Sequence, residues 1–215
     1  MKDKKEIVFN ILMFLPMVVV IISLFYLPDS IPAHYGDGFA VDRWGSKYET
    51  LIYGVIPMIF GGIMKTIDQT EKKESNKKFR IYGGIIGLSV FNIIILGFIY
   101  NAFRLTSSAA ELIAINLAQI ILVTLGISLI LMGNAIPKTK MNKLTGIRYS
   151  GEIQDEKTWN IHQRIGGISM IIAGIIIIIL NLIFKTNSAV IVITLILLIL
   201  VIPISVLVNN RTLKK

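Results

Sequence analysis

Apolar residues are concentrated in six long runs along the chain, and polar residues are concentrated between them. The runs cover residues 7–27, 50–64, 81–103, 109–133, 165–184 and 188–208. A helix rises about 1.5 Å per residue, so about 20 apolar residues cross ~30 Å of hydrocarbon. The second run is short, contains Pro57, and needs flanking turns near Lys47 and Lys65 to cross. The pattern predicts an all-α integral membrane protein with six transmembrane helices.

Lysine and arginine are distributed unevenly among the segments between the runs. The N-terminus, residues 65–80, residues 138–164 and the C-terminus hold 18 of the 22, and the other connections hold four. Because short positively charged segments stay in the cytoplasm, we expect both termini to be cytoplasmic and residues 28–49 to be extracellular. The net charge of +9 therefore indicates how the chain is oriented in the membrane and that it contacts anionic lipid headgroups. No direct nucleic-acid partner is predicted.

Composition restricts the chemistry further. Hydrophobic residues make up 54% of the 215 residues, which indicates one integral membrane domain. The chain has no cysteine, so disulfides, thiolate nucleophiles and Cys-ligated metals are excluded. No nucleophile lies beside a base in the sequence. We therefore expect no catalysis, predict no cofactor and expect the protein to act by binding.

Polar residues inside the runs have two interpretations. Asn116 and Gln119 share one helix face, and so do Thr124 and Ser128, which predicts hydrogen bonds to neighbouring helices. The alternative is a path for a small solute, as in a transporter or channel. No ionisable residue lies deep in any run, where such proteins usually place one, so adhesion between helices is favoured.

The connection of residues 28–49 has the composition of a shaped platform. Its prolines and glycines favour extended segments and turns, and Tyr35 and Trp44 are suited to the lipid headgroup layer. We expect it to bind a peptide or another membrane protein. The candidate binding residues are Asp29, Pro32, His34, Tyr35, Trp44 and Lys47.

A metal site in this connection is a weaker interpretation. His34 could ligate a metal together with carboxylates, which are Asp29, Asp37 and Asp42. With one histidine, the carboxylates are more often backbone caps or partners of Arg43 and Lys47. No metal site is predicted.

The connection of residues 133–167 is the second candidate site. Gly133 and Asn134 end the fourth span, and Pro137 prevents the helix from resuming. Asp155 is expected to cap the next helix, on which Trp159 and His162 form one surface against residues 146–148. The candidate binding residues are Asn134, Pro137, Gly146, Arg148, Trp159, His162 and Arg164.

Both connections resemble segments of a known family. Leu27, Pro28, Asp29, Ile31, Pro32, His34 and residues 44–47 resemble the N-terminal membrane domain of unknown function often found in SdpI-like proteins. Gly133, Asn134, Pro137, Asn142, Lys143, residues 146–148, Trp159, His162, Arg164 and Gly166 resemble the SdpI core. The resemblance implies an immunity protein of the bacterial plasma membrane. It also implies a toxin peptide and a small cytoplasmic repressor as partners.

The order of elements suggests two halves, residues 1–105 and residues 106–215. Each half has three spans and a long connection after the first, which leads from Pro32 to Trp44 in one and from Pro137 to Trp159 in the other. Because three spans are an odd number, the halves would be inverted in the membrane. We therefore predict an inverted repeat of two three-helix halves.

Overall fold

A computed structural model describes most of the chain. It covers residues 4–36, 40–70, 76–106, 116–142, 145–147, 155–184 and 188–213, with side chains up to residue 200. Its helices are α1 (Lys4–Leu24), α2 (Leu51–Thr70), α3 (Lys77–Thr106), α4 (Leu117–Ala135), α5 (Glu156–Ile183) and α6 (Ser188–Leu213). The first five are long and apolar enough to cross a membrane, and α6 is apolar over Ser188–Leu200. The all-α, six-helix prediction is confirmed, while the side that each end faces stays a prediction.

Local signals at the helix ends explain where α2 and α5 begin. Ser46 and Glu49 form a capping box before a short 3-10 turn, so the second span extends over Lys47–Thr70 and is long enough to cross. Asp155 caps α5 as predicted, because its Oδ1 accepts a hydrogen bond from the Thr158 amide at 2.8 Å. This bond also holds the pKa of the Asp155 carboxyl below its ordinary value.

The fourth helix differs from the prediction at its start. It begins at Leu117, and the Asn116 side chain caps it by accepting a hydrogen bond from the Gln119 amide at 3.0 Å. Gln119 Nε2 donates to the Asn181 carbonyl of α5 at 2.8 Å. The Ser128 hydroxyl donates to the carbonyl of Leu125 in its own helix. The predicted hydrogen bond to a neighbouring helix is thus confirmed for Gln119.

Residues 28–36 and 40–49 form a β-hairpin that the sequence pattern does not predict. Strands β1 (Ser30–Tyr35) and β2 (Val41–Ser46) pair antiparallel, and Pro32 is the partner of Trp44. The register shifts on both sides of His34. This irregularity lies beside Pro32, which has no amide hydrogen to donate to the ladder. The expected platform thus has a defined shape.

The helices pack as two groups that meet between α3 and α4. In the first group α1 contacts both α2 and α3, and in the second α5 contacts both α4 and α6. A cluster formed by Leu27, Ile31 and Ala102 extends the core of the first group to the hairpin. The helix that contacts both others is α1 in the first group and α5 in the second. It is therefore the first helix of one half and the second helix of the other. The inverted repeat stays a prediction, and this difference in packing gives it no support.

Candidate functional sites at the two ends of the helices

The hairpin is anchored to α3 by Tyr35. Asn101 Nδ2 donates a hydrogen bond to the Tyr35 hydroxyl oxygen at 3.0 Å, and the Tyr35 ring lies 5.5 Å from that of Phe98. Burial raises the pKa of the Tyr35 phenol, and the bond from Asn101 opposes the shift. The Tyr35 ring thus packs on a helix, and its position in the headgroup layer stays a prediction.

A second anchor closes the base of the hairpin. The Lys47 ammonium lies 3.0 Å from Asp29 Oδ1, and the Lys47 amide donates to the Asp29 carbonyl at 3.1 Å. Pro32 is buried in β1. Asp29, Pro32 and Lys47, all predicted to bind a ligand, thus help to hold the hairpin in place.

The outer face of the hairpin carries exposed polar pairs. His34 Nδ1 lies 2.6 Å from Asp42 Oδ1, and Arg43 donates to Glu49 Oε2 at 2.8 Å. Trp44 is half exposed beside them. Asp29 pairs with Lys47 instead of joining His34, and Asp37 lies outside the described residues. Within the described part of the chain, no three such side chains group around a metal position.

A cavity of about 420 Å³ lies between the hairpin and the start of α2. Ile31, Pro32 and Ile52 supply apolar walls, and Arg43 and Glu49 line it as well. The bond to Glu49 raises the pKa of Arg43 above its already high ordinary value, so the guanidinium stays charged. The cavity can accept an apolar side chain next to a polar or charged group.

At the opposite end, three buried side chains hold the backbone of Thr139, Lys140 and Ile147. We name Asn76, Trp159 and Gln163 the amide clamp. Gln163 exchanges two hydrogen bonds with Ile147, at 2.7 and 2.8 Å, and Asn76 exchanges two with Lys140, both at 2.8 Å. The Trp159 indole donates to the Thr139 carbonyl at 2.8 Å. Each bond satisfies a backbone group that lacks a partner in regular secondary structure.

Glycine is required where the chain bends over the clamp. Gly146 has a φ of +103°, which side chains rarely allow, and a Cβ there would lie 2.8 Å from the Trp159 ring. The predicted contact of Trp159 with Gly146 is confirmed, whereas Ile147 is bonded by Gln163. Arg148 lies outside the described residues. Sequence reasoning missed Asn76 and Gln163. The position of Gln163, four residues after Trp159, was the available signal, because such residues share a helix face.

The remaining predicted residues at this end occupy different positions. His162 is buried, whereas Asn134 and Arg164 are exposed. Pro137 packs against Gly167, beside the point where α4 ends. A cleft of about 270 Å³ lies next to the clamp, with Lys138, Lys140 and Glu156 on its walls. This end therefore combines a fixed loop with an accessible charged surface.

These features define a multi-pass helical membrane protein with a structured connection in each half. Residues 138–207 match the SdpI/YfhL protein family, and residues 11–59 match a domain of unknown function, DUF1648. The predicted resemblance to SdpI-like proteins with an N-terminal domain of unknown function is therefore confirmed over these two segments. The match supports a membrane protein of the immunity type in general. That family is not known to be enzymatic. No curated protein and no solved structure matches the chain.

Proposed function

We propose that the protein is an immunity sensor that binds a membrane-active toxin peptide at the hairpin and signals this binding at the amide clamp. The observation that carries the proposal is that α3 is bonded at both of its ends. Near its C-terminus Asn101 bonds Tyr35 of the hairpin, and before its N-terminus Asn76 bonds Lys140. Its 30 residues correspond to about 45 Å of helix.

The hairpin offers the chemistry that an amphipathic peptide needs. His34, Asp42 and Arg43 present both charge signs, and Trp44 presents an exposed aromatic surface. The adjacent cavity of about 420 Å³ accepts an apolar side chain. Buried aromatic anchors with a charged rim are typical of strong peptide contacts.

Binding would reach the other end through α3. A peptide that displaces the hairpin moves Tyr35, which is bonded to α3, and a shift of α3 acts on the bonds of Asn76 to Lys140. Transmission requires that the toxin favour one of two arrangements of these contacts. The cleft beside the clamp would then present Lys138 and Glu156 differently to a small cytoplasmic repressor.

The test is survival of toxin-treated cells that produce each variant at equal protein level. Trp44→Ala and His34→Ala should each reduce protection, because they remove exposed groups without touching the anchors of the hairpin. Tyr26→Ala is the matched control, since Tyr26 is an exposed aromatic residue outside the hairpin. Full protection by the double variant His34→Ala/Trp44→Ala would refute toxin binding at this face. If the purified protein transports a solute in proteoliposomes, and if added toxin does not change this flux, the transporter alternative is favoured.

A further inference from the structure

A cavity of about 320 Å³ lies among α1, α2 and α3, at the end of the helices opposite to the hairpin. Met64 and Lys65 line it on α2, and Arg80 and Ile81 line it on α3. Met64 ends the second apolar run and Ile81 begins the third, so each pair straddles the boundary between hydrocarbon and headgroups. The cavity is therefore at the depth of a lipid headgroup.

The charges around the cavity are balanced. Arg80 Nε donates to Asp68 Oδ1 at 2.7 Å, and the Arg80 side chain is only 2% exposed. Glu6 lies 3.8 Å from the Lys77 ammonium, a loose contact at a partly exposed position. Lys65 lies over the Phe9 ring at 5.9 Å and forms no ion pair within the described part of the chain. A carboxylate and an ammonium thus remain accessible on the cavity wall.

Asn10 supplies a further polar group. Its Oδ1 is buried and has no hydrogen-bond partner among the described residues. An unpaired buried acceptor is costly, and Asn10 is one of the residues that line the cavity. An occupant with a hydrogen-bond donor would satisfy it.

We propose that this cavity binds the headgroup of an ethanolamine phospholipid. The primary ammonium donates to Glu6 and Asn10, and the phosphate accepts from Lys65. Methylene groups of the lipid lie against Phe9 and Met64. A headgroup with only negative charge would satisfy Lys65 but would face the carboxylates of Glu6 and Asp68. This site is independent of the toxin-binding proposal, because it uses none of the hairpin or clamp residues.

The test is native mass spectrometry of the full chain with equimolar ethanolamine and glycerol phospholipids of identical acyl chains. The wild type should retain the ethanolamine lipid in preference, and Glu6→Gln should reduce that preference roughly fivefold to tenfold, as expected for one charge-assisted contact. Asn10→Leu should reduce it as well. Glu156→Gln is the matched control, since it removes an exposed acid near a different cavity.

Two outcomes would overturn the proposal. The first is equal retention of both lipids by the wild type, or a preference that Glu6→Gln leaves unchanged. Glu6 is partly exposed, so this variant is expected to fold even if Asn10→Leu does not. The second is displacement of the bound lipid by soluble phosphoethanolamine at equal concentration, which would assign the cavity to a free solute.

Discussion

Glycine has different roles in the two halves of the molecule. In the first half, Gly61 lies against the side chain of Met13 and Gly84 lies against the side chain of Phe9, while Gly54 lies against both the side chain and the Cα atom of Met17. In the second half, glycines of α4 and α5 lie against each other. A Cβ on Gly133 would lie 2.5 Å from the Gly167 carbonyl oxygen.

The glycine contact in the second half repeats along the helices. Gly126 lies against Gly174, seven residues from the contact of Gly133 with Gly167, as expected for an antiparallel helix pair. The backbones of α4 and α5 are in contact at two positions and cannot adjust by changing rotamers, whereas a methionine side chain can. We infer that the second half is the rigid part and that the first half, which carries the hairpin, has the greater capacity to adjust.

The largest expected effect follows from breaking the backbone contact. Gly133→Ala should lower the free energy of unfolding by about 3 kcal/mol, because the added methyl group meets the Gly167 carbonyl and two backbones must separate. Thermal unfolding of the purified protein measures it. Gly62→Ala is the matched control, since a Cβ added at Gly62 would meet nothing within 4 Å. Equal loss in the two variants would contradict the rigid contact.

The second-largest expected effect follows from releasing the connection between α4 and α5 in the second half. Gln163→Leu should cost about 2 kcal/mol, because the amide and carbonyl of Ile147 lose their partner while they remain close to the clamp. Release of the loop should also speed tryptic cleavage at the exposed Lys140. Asn160→Ala changes an exposed amide on the same helix and should leave the cleavage rate unchanged. If both variants are cleaved at the wild-type rate, Gln163 does not hold the loop.

The sequence predicts the helices of both halves better than their contacts. The six helices, the cap at Asp155 and the contact of Trp159 with Gly146 follow from local patterns of a few residues. Partner choice does not, because runs such as residues 175–179 are apolar on every side and no face stands out. The pairing of Gly133 with Gly167 depends on which faces meet, and that is a property of the assembled helices.

The polar contacts between distant residues are likewise not predicted by the sequence. Asn76 bonds Lys140 across 64 positions of sequence, and nothing near either residue indicates the other. The hairpin is not predicted because Pro32 and the glycines are typical of loops, although Pro32 is tolerated in a short strand at the edge of a sheet. Arg80 lies one residue outside the third apolar run, so its burial against Asp68 is not predicted either. Local signals therefore locate both candidate sites but not the bonds that build them.

The smallest expected effect tests whether the first half adjusts. Gly61→Ala should lower the free energy of unfolding by about 1 kcal/mol, because the flexible side chain of Met13 can move away from the added methyl group. The double variant Gly61→Ala/Met13→Ala should show coupling, since the smaller residue leaves room for the methyl group. The measurement is the same thermal unfolding as for Gly133→Ala. A loss for Gly61→Ala as large as that for Gly133→Ala would show that side-chain contacts in the first half are as rigid as backbone contacts in the second.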